Sequence, residues 1–211
     1  MLEGLNEQQL QAVTTTEGPV MVMAGAGSGK TRVLTERIAY IIDMGISPFQ
    51  ILAVTFTNKA ANEMKERVQQ LVDVDTKYMW ISTFHSFCSR FLRMEIEVLP
   101  DYTRKFLIID EEDSLKIIKD ICKESDIDEI KPKQIQSLIS KCKNFPNYYI
   151  KDPYLKKIYS SIDKKYNQFL RENNMLDFDD LMIKTIEILK SHKEILEKYQ
   201  EKFQYILIDE F

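Results

Sequence analysis

Four short apolar runs, at residues 20–23, 51–56, 79–82 and 205–208, punctuate the chain, each bounded by turn-forming or polar residues. Runs of this length without polar alternation predict parallel strands buried on both faces. Between the first three, the period lengthens to that of a helix. Residues 31–44 place Val33, Leu34, Ile38, Ile41 and Ile42 on one face and stop at Gly45. Asn58 is the expected N-cap of a helix over 59–72, and a third helix is expected over 85–99, before Pro100. Strand and helix alternating in this way predict a doubly wound α/β sheet. After Pro100 almost everything from 110 to 203 reads as helix, with starts at Asp110, Pro132 and Asp177 and a break over 144–153. The pattern then returns to a buried strand. The expected organisation is an α/β domain (1–105) interrupted by a helical insertion (106–175) and resumed over 176–211.

The first apolar run leads into Ala24-Gly25-Ala26-Gly27-Ser28-Gly29-Lys30-Thr31. Strand, glycine-rich turn and helix start, in that order, are the parts of a phosphate-binding loop. Glycines permit positive φ and close approach of backbone N–H groups to a polyphosphate, and the helix N-terminus adds free N–H groups and its dipole. Lys30 is placed to reach the β- and γ-phosphates, and the Thr31 hydroxyl to ligate Mg²⁺. The usual pattern opens with Gly where this chain has Ala24. A flexible Gly/Ser loop that merely precedes Lys-Thr is the competing explanation, and the order of elements argues against it.

An ATPase of this kind needs acids at the end of a neighbouring strand, one for Mg²⁺ and one for the attacking water. Asp209-Glu210, after Tyr205-Ile206-Leu207-Ile208, has that form, with Asp209 the metal partner and Glu210 the base. Asp110-Glu111, after Phe106-Leu107-Ile108-Ile109, has it too, although the amphipathic segment that follows makes Asp110 a better N-cap. At the end of the second run, Phe56, Thr57 and Asn58 suit contacts with sugar-phosphate and an unpaired base, or else simply begin a capped helix. Thr83 and His85 occupy the equivalent place after the third run; a lone His there is more often a structural hydrogen bonder than a catalyst.

Charge changes the picture more than composition does. The net charge of −4 hides a tract, 131–171, with nine Lys and one Arg against Asp152 and Asp163, a balance of +8 that leaves −12 for the remainder. That asymmetry points to a localised polyanionic partner. The tract also carries rings: Phe145, Tyr148, Tyr149, Tyr154, Tyr159, Tyr166 and Phe169, of which Tyr159, Tyr166 and Phe169, with Leu170, have the helical spacing of core residues. Cys88, Cys122 and Cys142 are too scattered for a disulfide framework or zinc site and read as buried thiols. No apolar run approaches membrane-spanning length and the N-terminus does not read as a signal peptide, so the expected compartment is the cytoplasm with no membrane partner.

These motifs together resemble the UvrD/Rep/PcrA-like DNA helicases of superfamily 1 over essentially the whole chain. Leu5-Asn6-Glu7-Gln8-Gln9-Leu10-Gln11-Ala12-Val13 is similar to that family's N-terminal glutamine motif, which implies that Gln9 recognises adenine. The loop at 24–31 matches the family's phosphate loop, in which an opening Ala is usual, and Arg32 matches an arginine that packs on the adenine face. Residues 55–68 and 81–86 resemble its motifs Ia and Ib, Asp177-Phe178-Asp179-Asp180-Leu181 a further family sequence, and 205–211 the opening of motif II, which selects Asp209-Glu210 over Asp110-Glu111. The resemblance implies a P-loop, RecA-like parallel sheet flanked by helices with an inserted all-helical subdomain. It also implies ATP and Mg²⁺ as cofactors, single-stranded and duplex DNA as partners, and 3′→5′ translocation with unwinding. Phe56, Thr57, Asn58, Thr83 and His85 become the expected DNA contacts.

In the family, motif II continues Gln-Asp-Thr and a second RecA-like domain follows. The chain stops at Phe211, so the expectation is an N-terminal part that is inactive as a motor by itself. Two alternatives are a non-catalytic nucleotide- and DNA-binding module and, more remotely, a phosphate-loop kinase. Roles in repair, replication and recombination share these motifs and are not separated by them.

Overall fold

A computed structural model describes residues 2–25 and 27–209; Ala26 and Glu210 lie outside the described residues. The chain divides into two units, residues 1–87 with 196–211, and residues 88–195.

The first unit is built on three parallel strands, β1 (Ile51–Thr55), β2 (Trp80–Thr83) and, last in the chain, β5 (Tyr205–Ile208), in the order β2-β1-β5. β1 is central and every one of its residues is buried, as a continuous Ile-Leu-Ala-Val-Thr run with neighbours on both edges requires. The register pairs Ala53 with both Ile81 and Leu207. Those three side chains therefore share one face, where they pack with Ile38 and Ile41 of α2 (Lys30–Asp43) and Met64 and Val68 of α3 (Asn58–Leu71). On the opposite face Trp80 meets Phe87 and Phe203 edge-on, with ring centroids 5.8 and 5.3 Å away. A short helix α1 (Glu7–Thr14) is tied to α2 by Arg37, whose guanidinium donates to the Ala12 carbonyl at 2.6 Å.

One expected strand is absent. Residues 20–23 form no strand, and their side chains are exposed, Met21 by 74% and Met23 by 89%. An apolar run satisfies the side-chain requirement of a buried strand but does not supply the neighbour with which its N–H and C=O groups must pair. No described strand takes that place, and the sheet ends at β5.

The second unit is mainly helical: α5 (Glu111–Glu124), α6 (Pro132–Asn144), α7 (Pro153–Glu172) and α8 (Phe178–Ser191), with a two-residue parallel pairing of β3 (Leu107–Ile108) and β4 (Met175–Leu176). Its core joins Ile118 and Ile121 of α5, Ile135 and Ile139 of α6, and Ile162, Tyr166 and Leu170 of α7. The starts expected at Asp110, Pro132 and Asp177 all hold. Asp110 accepts from the Asp113 N–H at 2.9 Å, Asp177 accepts from the Asp180 N–H at 2.9 Å, and Pro132 occupies the first turn of α6. Several local expectations fail. β5 pairs with β1 but is not buried on both faces, since Ile206 and Ile208 are exposed and only Leu207 is buried. Cys142 is half-buried where Cys88 and Cys122 are buried. Thr57, not Asn58, caps α3, because its hydroxyl reaches the Ala60 N–H at 3.1 Å. Phe169 is part-exposed rather than core, since Tyr166 and Leu170 fill the buried stripe of α7.

Candidate functional site

The glycine-rich loop leads straight into α2, whose N-cap is Gly29 with φ +85° and no side-chain cap. Gly27 has φ +75°. These are the left-handed conformations for which glycine is the low-cost residue. The first turn of α2 carries no acidic side chain, which leaves its N–H groups and dipole free to face an anion. Lys30 bends back over the loop, its ammonium donating to the carbonyls of Ala24 at 3.1 Å and Gly25 at 3.4 Å. Ser28 closes the turn with its hydroxyl on the Gly25 carbonyl at 2.7 Å.

Gln9 holds this loop from outside. Its Oε1 accepts from the Asn6 N–H at 3.0 Å while Asn6 accepts from the Gln9 N–H at 2.8 Å, a reciprocal capping box at the start of α1. Its Nε2 then donates to the Ser28 carbonyl at 3.0 Å. Arg32 is anchored close by, donating to the carbonyls of Glu3 and Gly4 at 3.0 and 3.3 Å, with Glu36 3.9 Å away. The structure thus brings Gln9 and the loop together directly. The Asn-x-x-Gln spacing is the sequence signal that makes this capping box legible.

The parallel register brings a second group of residues to the C-terminal edge of the sheet. Thr55 pairs with Thr83, Val54 pairs with Ile208, and the Asp209 N–H continues the ladder onto the Val54 carbonyl at 2.9 Å. Asp209, the Phe56-Thr57-Asn58 turn and the Thr83-Phe84-His85 turn therefore leave the same edge of one sheet, the edge at which open α/β folds bind ligands. Phe56 is exposed and meets Phe84 edge-on at 6.3 Å. Thr83 is buried, and its hydroxyl donates to the Ser86 hydroxyl at 2.9 Å and accepts from the Ser86 N–H at 3.2 Å. Its role in the structure is to begin the helix α4 (Phe84–Glu95). His85 sits half-buried on the first turn of that helix.

Sequence reasoning missed a buried polar network in the second unit. Lys143, counted in the basic tract, is only 11% exposed at its side chain and bonds both Asp177 and Asp180 at 2.7 Å. Asp177 also accepts from the Tyr166 hydroxyl at 3.0 Å, which lies 2.9 Å from the Ser114 hydroxyl. Asn144 donates to Asp179 at 2.8 Å. The acidic run at 177–180 is thereby explained as a helix cap and an internal ion-pair site. Burial pulls the Lys143 ammonium down, but Asp180 and Asp177 outweigh it and leave its pKa raised. Burial raises the Asp180 carboxyl, and Lys143 offsets only part of that.

The model of the UvrD/REP helicase N-terminal domain matches residues 5–211. The chain belongs to that family. It is 46% identical over 223 residues to the ATP-dependent DNA helicase PcrA of Staphylococcus aureus (strain Mu50 / ATCC 700699) and 47% identical over 219 residues to the PcrA of Bacillus subtilis (strain 168). Each alignment takes in 100% of this chain and 30% of the relative, so the chain spans about a third of the length of these relatives.

Proposed function

We propose that these residues are the ATP-binding N-terminal part of an ATP-dependent DNA helicase that works in the cytoplasm. ATP hydrolysis would drive 3′→5′ translocation on single-stranded DNA and separation of the duplex. The observation that carries this reading is the loop at 24–31: two left-handed glycines and an uncapped helix N-terminus with Lys30 folded over them. Lys30 neutralises the β- and γ-phosphates, and the backbone N–H groups from Gly27 to Thr31 hold them. Gln9 and Arg32, both already seated beside the loop, read the adenine.

Mg²⁺ suits the hard oxygen donors at hand, the Thr31 hydroxyl on the first turn of α2 and the Asp209 carboxylate at the ladder's end. When bound it supplies charge neutralisation of the phosphates. Glu210 takes the proton of the attacking water. Phe56, Thr57, Asn58 and His85 contact single-stranded DNA, with Thr83 fixing the turn that presents His85. Residues 106–175 are the inserted DNA-contacting subdomain.

The relatives are about three times longer. We therefore propose that the 211 residues alone bind nucleotide without DNA-stimulated turnover. Titration with a fluorescent ATP analogue and Mg²⁺ tests the site: the parent chain binds and Lys30→Ala does not. Equal binding by the two proteins would remove Lys30 from the site. DNA-stimulated hydrolysis abolished by Lys30→Ala would overturn the claim that the fragment is inactive.

A further inference from the structure

The segment joining α6 to α7, with the first turn of α7, displays four aromatic rings within ten residues: Phe145 is 63% exposed, Tyr148 42%, Tyr149 68% and Tyr154 56%. Scattered exposed rings are ordinary, but a cluster of this density is not explained by packing. The same unit buries Tyr166 completely, so its core is not short of aromatic area.

The segment is held at several points. Phe145 donates its N–H to the Lys141 carbonyl at 2.9 Å, ending α6, and the Tyr148 N–H closes a turn onto the Phe145 carbonyl at 2.8 Å. Ile150 is buried between exposed neighbours. Asp152 caps α7, accepting from the Tyr154 and Leu155 N–H groups at 2.8 and 3.2 Å. The Tyr154 hydroxyl reaches Glu129 at 3.3 Å, and Lys156 Nζ lies 5.4 Å from the centre of the Tyr149 ring. The rings are thus presented on a braced loop, which lowers the ordering cost of binding.

Charge then selects the partner. Lys141, Lys151, Lys156 and Lys157 flank the rings in sequence, while of the two carboxylates beside them Asp152 is committed to the α7 amides and Glu129 accepts from the Tyr154 hydroxyl. Lysines beside exposed ring faces suit a chain of phosphates with unpaired bases. A duplex keeps its base faces stacked inside and offers this surface only phosphates.

We propose that Phe145, Tyr148, Tyr149 and Tyr154, with Lys151 and Lys156, form a stacking platform for single-stranded DNA on the helical unit, additional to the contacts at the sheet edge. The platform rests on the reading of this chain as part of a DNA-acting ATPase.

Fluorescence anisotropy of labelled oligo(dT), with the 211-residue chain at low and moderate salt, tests it. The Phe145→Ala/Tyr149→Ala double variant loses at least about tenfold in single-strand affinity, and Lys156→Ala lowers the salt slope by roughly 0.7. Tyr149→Phe retains the parental affinity; Tyr149→Leu, apolar but without a π face, does not. The platform is overturned if the double variant binds within about twofold of the parent, if a duplex of equal length binds as tightly as the single strand, or if the parent fails to bind at low salt. Nucleotide titration on the same proteins separates the two claims. Loss of ATP binding by the parent removes the helicase reading, whereas unchanged DNA binding by the ring variants removes only the platform.

Discussion

Lys143→Ala perturbs the second unit at its most electrostatically committed point. The ammonium bonds one oxygen of Asp177 and one of Asp180 at 2.7 Å, and both aspartates are themselves buried. Removing it leaves two carboxylates in a low-dielectric setting with backbone N–H groups and the Tyr166 hydroxyl as their remaining partners. One-sided loss of a buried pair costs about 3–5 kcal/mol. For a chain of this size, that corresponds to a fall in Tm of roughly 6–20 °C, at ~2–4 °C per kcal/mol. Circular-dichroism melts measure it. The pH dependence supplies a second reading. A carboxyl whose pKa is raised on folding favours the protonated native state, so its penalty is full at higher pH and shrinks as pH falls toward the unfolded value. Burial already raises Asp180 against the offset of Lys143, and without the lysine the shift grows. The deficit of Lys143→Ala is therefore smaller at about pH 5 than at about pH 8. Adding Asp180→Asn to it recovers part of the lost stability at neutral pH. A deficit under about 1 kcal/mol, or one that widens toward acid, would refute the reasoning.

Gly27→Ala and Gly29→Ala separate two requirements of the loop. Both positions have positive φ, for which a Cβ costs about 1–2 kcal/mol. An added Cβ at Gly27 meets nothing within 4 Å, whereas one at Gly29 lies 3.2 Å from Gln9 Nε2. Gly29→Ala therefore weakens ATP-analogue binding more than Gly27→Ala, and comparable losses in titration would show that contact with Gln9 is immaterial. Asp110→Ala removes the cap on the Asp113 N–H and lowers stability in a urea melt by about 1 kcal/mol. It leaves nucleotide binding unchanged; loss of binding would restore Asp110 as a candidate for the metal site.

Features set by local chemistry were readable from the sequence. The caps at Asp110 and Asp177, the Pro132 start, the buried strand at 51–55 and the existence of a strand at 205–208 follow from residue type and spacing alone, whereas the burial expected for 205–208 is met only at Leu207. What failed depends on partners distant in sequence. Residues 20–23 have the composition of a strand, yet composition does not say which strand lies alongside. Lys143 looks like one more solvated charge in a basic tract because Asp177 and Asp180 lie more than thirty residues away. Asn58 and Thr57 are both good caps, and only the turn after β1 decides between their side chains.

The two parts of the candidate nucleotide site are fixed by bonds of different strength. Asp209 is placed by a strand ladder and a buried central strand, so moving it means breaking sheet pairing. The loop is placed by exposed hydrogen bonds from Lys30, Ser28 and Gln9 to its own carbonyls. The Ser28 and Gln9 bonds are neutral and contribute about 0.5–1.5 kcal/mol each; the Lys30 bond has a charged donor on a neutral carbonyl, whereas a phosphate would offer it an opposite charge as well. A polyphosphate can therefore take Lys30 from the Ala24 carbonyl without disturbing the sheet. Gln9 faces a sharper choice, because Oε1 closes the α1 capping box and Nε2 holds Ser28. If the amide turns to an adenine, it releases both at once. In the proposed ATP site, Gln9 would thus link recognition of the base to the freedom of the loop at 24–31.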